Sequence, residues 1–132
     1  KAFDSVSHDH ILTGLKQKGV DTHIINLIKD MYTNIHTHLA VKEERSEPIQ
    51  IKVGVKQGDP MSPLLFNLAM DPLLCKLDES GEGYHLGQRM VTAMAFADDL
   101  VLLSDSWEGM ERNIKTLETF CNITGLKTQG EK

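Results

Sequence analysis

The spacing of apolar positions changes period several times along the chain. Ile11, Leu12 and Leu15 recur at helical spacing behind Ser7, a residue type suited to an N-cap, and Gly19 marks a stop. Asp21 opens a second segment, in which Ile24, Leu27, Ile28 and Met31 follow the i, i+3, i+4, i+7 rule. Then the period drops to two. Thr37, Leu39 and Val41 alternate with His36, His38 and Lys42. Glu43–Pro48 is a charged turn, after which Ile49, Ile51, Val53 and Val55 resume the alternation, so a hairpin is predicted.

Lys56-Gln57-Gly58-Asp59-Pro60 reads as a loop. Ser62-Pro63 fits a helix start, with Ser at the N-cap and Pro at the first helical position. Leu64, Leu65, Leu68 and Met70–Leu77 make this helix apolar almost all round, which predicts a central position. Pro72 inside it removes one hydrogen bond and predicts a kink. Gly81–Gly87 is loop or short strand, Val91–Phe96 and Leu100–Ser104 are short strands, and Asp105-x-x-Glu108 resembles a capping box. The last helix places Met110, Ile114, Leu117 and Cys121 on one face and ends at Gly125. Helices, a hairpin, a long helix, a second hairpin and a helix predict an α+β fold with an antiparallel sheet backed by helices.

Composition adds boundaries. The 132 residues are 40% hydrophobic and 25% charged, which suits one globular domain. No apolar run approaches the roughly 18 residues of a membrane span, and no secretory leader pattern stands at the start, so no membrane partner is expected. Lys1 falls inside a patterned stretch, so the chain is expected to be a segment of a longer protein. Cys75 and Cys121 lie in apolar helical patterns and are expected to be free, buried thiols of a reducing compartment. The formal net charge of −5 argues against a nucleic-acid grip built by this piece alone, because phosphate binding shows as a basic face. An acidic catalytic centre stays open.

Met94–Leu103, M-A-F-A-D-D-L-V-L-L, sharpens that point: eight residues are apolar, which predicts a buried strand, and the other two are the adjacent acids Asp98 and Asp99, which predict a surface. Buried, such a pair is costly unless cations compensate it. A tight turn between two strands would carry both carboxylates to one edge of a rigid platform. Hard oxygen ligands suit Mg²⁺, and two Mg²⁺ ions about 4 Å apart are the device for in-line attack of a hydroxyl on a phosphate. A further carboxylate from a neighbouring strand is generally needed. The alternative is a plain turn, where Asp is common. The turn alone leaves both readings open.

Four stretches decide between them by resemblance. F-A-D-D at Phe96–Asp99 is similar to the metal-binding turn of reverse transcriptases. K-A-F-D at Lys1–Asp4, Q-G-D-P-M-S-P-L-L-F-N at Gln57–Asn67 and G-L-K-T-Q-G-E-K at Gly125–Lys132 resemble three further motifs of that family, in its order and over the whole chain. The wording is most similar to non-LTR (LINE-type) retrotransposons, in particular those that insert in ribosomal RNA genes. Group II intron reverse transcriptases are the alternative within the enzyme class. A decayed or co-opted palm that only binds RNA or protein is the alternative outside it.

The resemblance implies that residues 1–132 are a segment of a polymerase palm, with fingers, thumb and the first catalytic Asp outside the chain. The family's motif D-x-x-K-A-F-D puts that Asp three residues before Lys1, and Asp4 is expected to be a cap or hydrogen-bond acceptor instead. Asp98 and Asp99 are the implied metal ligands, for two Mg²⁺ ions or Mn²⁺ in their place, with no other small-molecule cofactor. Phe3 is implied to sit under the sugar of the incoming nucleotide, or else to be an ordinary core Phe. Gln57 and Gly58 match the loop that packs against that nucleotide. Lys132 matches a lysine able to protonate the leaving pyrophosphate. The implied partners, reached through the parent protein, are an RNA template, a DNA primer or target, and dNTP, at a nuclear site of integration. The segment alone is expected to be inactive.

Other features suggest nothing further. The H-x-H pairs His8/His10 and His36/His38 have no third zinc ligand nearby in sequence, and Lys42–Glu47 reads as a solvated turn. Trp107 and Phe120 are single aromatics at helical positions and are expected in the core.

Overall fold

The computed structural model describes residues 2–41 and 44–128. The elements follow as α1 (His8–Gln17), α2 (Thr22–Thr33), β1 (His36–Thr37), β2 (Ala40–Val41), β3 (Glu44–Arg45), β4 (Ile49–Gln50), α3 (Ser62–Glu79), β5 (Tyr84–Leu86), β6 (Arg89–Val91), β7 (Ala93–Phe96), β8 (Asp99–Leu102) and α4 (Trp107–Thr124). The class is α+β, as the sequence predicts.

The α3 helix is the organising element, packing on α1, α4 and β7. Leu65, Phe66, Ala69, Leu73 and Leu77 are its buried apolar positions, at spacings of three and four. Leu64, on the opposite side, is exposed. Together with Val6, Ile11, Leu15, Ile25, Ile28, Tyr32, Val55 and Leu126, the first three form one core cluster. Pro72 lies inside α3, and its missing N–H leaves the Leu68 carbonyl without its helical partner. One residue on, the Ala69 carbonyl accepts a hydrogen bond from His10 Nε2 at 2.7 Å. The His10 ring also meets Phe120 edge-on. His10 thus ties α1 to the helix beside Pro72, where a Cβ on Gly14 would meet Leu68 at ordinary van der Waals distance.

Strand pairing is antiparallel throughout, but the described strands form four separate two-stranded ladders rather than one sheet: β1–β4, β2–β3, β5–β6 and β7–β8. The first predicted hairpin is present in two short pieces, with Thr37 opposite Ile49 and Ala40 opposite Arg45. Lys42 and Glu43, at its predicted tip, lie outside the described residues. Val91–Phe96, predicted as one strand, is divided at Thr92, because Val91 pairs with Tyr84 while Ala93 pairs with Leu102.

Two helices turn differently from the prediction. On α2 the buried residues are Ile25, Ile28 and Tyr32, while Ile24, Leu27 and Met31 are exposed. Apolar side chains cover most of this helix, so spacing alone does not choose the face; packing against α1 chooses it. On α4 the fully buried positions are Gly109, Asn113 and Thr124, and Ile114 is exposed. Asn113 is buried because it is satisfied: its amide donates to the Glu82 carbonyl at 3.0 Å and takes a long contact from Ser80 Oγ. Trp107 is 78% exposed, contrary to the core expectation, since it stands in the first turn of α4. Cys75 is exposed, beside Asp71, and Cys121 is half-buried, its thiol pushed up by burial and then by Glu118.

Helix ends follow cap chemistry more closely than the predicted residues. Asp21 caps α2 through the His23 N–H at 2.8 Å, and Gly125 closes α4 in the left-handed region at φ +77°. Ser7 precedes α1 without a side-chain cap bond. At α3 Ser62 is inside the helix, and Asp59 accepts from the Met61 N–H instead. At α4 the cap is Ser106, which accepts from the Gly109 N–H at 3.0 Å; Asp105 binds His85, so no Asp105–Glu108 box forms. Among the described residues no helix is long and apolar enough to cross a membrane.

Candidate active site

The two acids lie on the β7–β8 hairpin. Phe96 pairs with Asp99, so the turn is the two residues Ala97 and Asp98 rather than the three that the sequence suggests. Two-residue hairpin turns need positive φ, normally supplied by Gly or Asn. Ala97 supplies it here, at φ +51°, the one positive φ outside glycine among the described residues. An L-residue in that region costs about 1–2 kcal/mol, and such strain is held only where the surroundings fix it.

Pairing also sorts the faces. Met94, Phe96, Asp99 and Val101 share one side of the ladder; Ala93, Ala95, Leu100 and Leu102 share the other. Leu100 and Leu102 are half-buried, and the hairpin rests on α3 and α4. The first face is open: Phe96 is 84% exposed and Met94 55%. This corrects the expectation of a buried strand. Asp98 and Asp99 are both exposed and bear no burial penalty within this chain.

A second group assembles at the opposite end of the sequence. The Phe3–Ser7 segment lies along residues 53–55: the Val55 N–H donates to the Phe3 carbonyl at 2.7 Å, the Gly54 N–H to Val6 at 2.8 Å, and Ser7 bridges Val53. Gly54, at φ +90°, is required here, because a Cβ would stand 2.8 Å from the Asp4 backbone. His8 Nε2 donates to the Gly54 carbonyl at 2.8 Å. The Phe3 ring stacks on Phe66, a fully buried α3 residue.

The loop that follows is anchored at three points. Gln57 Nε2 donates to an Asp4 carboxylate oxygen at 2.8 Å. Ser62 Oγ donates to the Lys56 carbonyl at 2.5 Å. Asp59 accepts from Met61, and its own carbonyl accepts from the Ser62 N–H at 3.1 Å. Between these anchors Gly58 is exposed, at φ +84°, with open space where a Cβ would point. Phe3, Asp4 and Gln57 are therefore brought together, and Asp4 is an acceptor as expected. Asp98 and Asp99 stand on a different hairpin. Lys132 lies outside the described residues.

Sequence reasoning missed the Asp4–Gln57 link and the role of Gly54. A lone Gly within an alternating strand pattern is the signal for close backbone approach. Asp59, two residues before Met61, carries an Asx-type cap pattern that outranks Ser62.

Three ion pairs join other elements of the described residues. His85 holds the Asp105 carboxyl below its ordinary value, chiefly through the ring hydrogen bond. Arg112 does the same to Glu82 through a 2.8 Å contact. Lys18, raised by Asp71 at 2.6 Å, fastens the end of α1 to α3. No group of three or more His, Cys, Asp or Glu able to hold a metal occurs among the described residues. The hairpin supplies two adjacent carboxylates, hard donors whose chemistry fits Mg²⁺ or Mn²⁺ rather than a soft metal.

Comparison with known proteins matches the sequence to one family. Residues 1–132 match the model for reverse transcriptase (RNA-dependent DNA polymerase). The chain is 42% identical over 132 residues to a retrovirus-related Pol polyprotein from type-1 retrotransposable element R2 of Nasonia vitripennis, all of this chain and 13% of that protein. It is 37% identical over 134 residues to the R2 protein of Popillia japonica, covering all of the chain and 19% of the relative. Against the type-2 element R2DM protein of Drosophila melanogaster it is 39% identical over 132 residues, all of the chain and 12% of the relative. The chain thus spans between an eighth and a fifth of the length of these relatives. It belongs to the reverse transcriptase family, in its non-LTR, R2-like branch.

Proposed function

We propose that this chain is the palm segment of an RNA-directed DNA polymerase encoded by a non-LTR retrotransposon. The full-length protein extends a DNA primer on the element's RNA at a nicked site in ribosomal RNA genes, within the nucleus. The primer 3′-oxygen forms a bond to the α-phosphorus of a dNTP, the bond to the β-phosphate oxygen breaks, and pyrophosphate leaves. The observation that carries this reading is the β7–β8 hairpin: two adjacent carboxylates at the head of a strained two-residue turn, resting on two helices.

Asp98 and Asp99 are the residues that would hold divalent cations, two Mg²⁺ or Mn²⁺ in their place. Held there, such ions would supply activation of the attacking hydroxyl and charge neutralisation of the leaving group. Phe3 shapes the floor beneath the sugar and, through its bulk, disfavours a 2′-hydroxyl. Gln57 and Gly58 form the wall that meets the nucleotide, Gly58 because nothing projects from it. Lys132 is assigned, by resemblance, the supply of a proton to pyrophosphate. The template and primer are gripped by basic regions of the full-length protein, which reconciles an acidic segment with a nucleic-acid enzyme.

The test is RNA-templated incorporation of deoxynucleotides by the full-length protein with Mg²⁺. Product that copies the template and disappears on chelation supports the reading. Binding of RNA without synthesis, under conditions where an R2 relative synthesises DNA, would instead indicate a palm kept only for binding.

A further inference from the structure

Asp4 lies one residue after Phe3 and reaches across to Gln57, 53 positions further along the chain. Three observations show that this contact is built in. The Asp4 backbone is pressed against Gly54, where even a Cβ would collide at 2.8 Å. The residue before it is fixed by the 2.7 Å bond from Val55 and by stacking on Phe66. The far end of the loop is pinned by Ser62 on the Lys56 carbonyl. The residue before Asp4 and the residue before Gln57 are thus both tied down.

A glutamine amide has two unlike ends, an acceptor oxygen and a donor NH₂. A carboxylate only accepts, so the end that faces Asp4 must be the NH₂ group. The oxygen is then turned away from Asp4 and is the acceptor left for a partner, beside the second N–H of the amide. An ionised acceptor also makes the stronger, shorter class of hydrogen bond, which disfavours the flipped amide.

We propose that Asp4 is a positioning residue, whose carboxylate fixes the Gln57 amide so that Oε1 faces a hydrogen-bond donor on the incoming nucleotide. This rests on the reading of Gln57 as nucleotide-binding. Asp4 itself touches no reacting atom. Its effect travels through one hydrogen bond, and it links the Phe3 strand to the Gln57 loop, so both walls of the nucleotide site keep one spacing.

The experiment is a double-mutant cycle in the full-length protein, read as steady-state kcat and KM for dNTP on an RNA template. Asp4→Asn keeps the shape but offers an NH₂ as readily as an oxygen, so the amide loses its fixed sense. The expected result is an apparent KM for dNTP raised roughly threefold to tenfold with kcat little changed, the size of one modest hydrogen bond. In a Gln57→Ala background the same substitution should add nothing, because the group it positions is gone. Asp4→Glu, which keeps the charge, should recover part of the loss.

Equal losses from Asp4→Asn with and without Gln57, or a fall in kcat alone, would overturn the proposal and leave Asp4 as a structural residue. If Asp4→Asn failed to fold, the Asp4→Glu cycle gives the same test. Wild-type protein that made no DNA would fail the functional reading itself, a separate outcome. Gln57→Ala without effect in an active enzyme would remove Gln57 from the site and the proposal with it.

Discussion

Phe3 lies nearly parallel on Phe66, with ring centroids 4.4 Å apart and planes 20° apart. One ring belongs to the N-terminal segment and the other to the central helix. Phe66 is fully buried, whereas Phe3 keeps part of its surface open. An aromatic held from behind and open in front suits a steric floor for a sugar. Phe3→Val in the full-length protein should therefore raise ribonucleotide incorporation relative to deoxynucleotide, measured by competition between the two. Phe66→Leu, which removes the support and not the floor, should erode the same discrimination more weakly. Selectivity unchanged in both variants would make Phe3 a packing residue.

His10 and Pro72 should be energetically coupled. His10→Ala removes the 2.7 Å bond to the Ala69 carbonyl, at an expected cost of about 0.5–1.5 kcal/mol. Pro72→Ala restores a normal helical turn. In that background the loss from His10→Ala should shrink, as read by denaturant unfolding of the full-length protein monitored at α3.

Two glycines with positive φ should respond differently to Ala. Gly58 has open space around it, so Gly58→Ala carries only conformational strain, about 1 kcal/mol. Gly54→Ala adds a collision at 2.8 Å with the Asp4 backbone and must displace the N-terminal segment. It should be clearly the more destabilising of the two, and hydrogen exchange should show the Val55 amide losing protection.

Acid sensitivity should fall on the β5–α4 junction. Asp105 and Glu82 both have folded values below their ordinary 3.8 and 4.5. A depressed carboxylate stabilises the fold fully above its unfolded value, and that stability is lost as pH falls through the folded value. The loss should therefore begin below about pH 4.5 and deepen with further acidification. Asp105→Asn should flatten this limb in pH-dependent unfolding, by a modest amount because both partners meet solvent.

Much of this was legible in the sequence because local chemistry decides it. The caps at Asp21 and Gly125 and the turn at Asp98 each depend on neighbours within four residues. The α2 face was not legible. Ile24 and Ile25 are both apolar, and only the position of α1 selects Ile25. Asn113 reads as a surface residue until Glu82, 31 positions away, supplies its partner. The Asp4–Gln57 bond is equally remote. The apolarity of the run from Met94 to Leu103 predicts a buried strand, yet one of its faces is exposed in this chain. Apolarity signals a surface that prefers cover; it does not say whether the cover lies within the same 132 residues.

The isolated chain should not synthesise DNA. It holds the Asp98–Asp99 hairpin but spans only 12–19% of the length of its R2 relatives, and the proposed grip on template and primer belongs to the full-length protein. Incubation with primer, RNA template, dNTP and Mg²⁺ should give no templated product, and product from the chain alone would contradict this.

The central claim is that Asp98 serves chemistry and not folding. Its most direct test is Asp98→Asn in the full-length protein, with extension and RNA binding measured on the same preparation. The account predicts loss of extension with RNA affinity nearly unchanged, since an exposed turn residue can lose its charge without disturbing the hairpin beneath it. Extension at wild-type rate, or RNA binding lost together with extension, would contradict it.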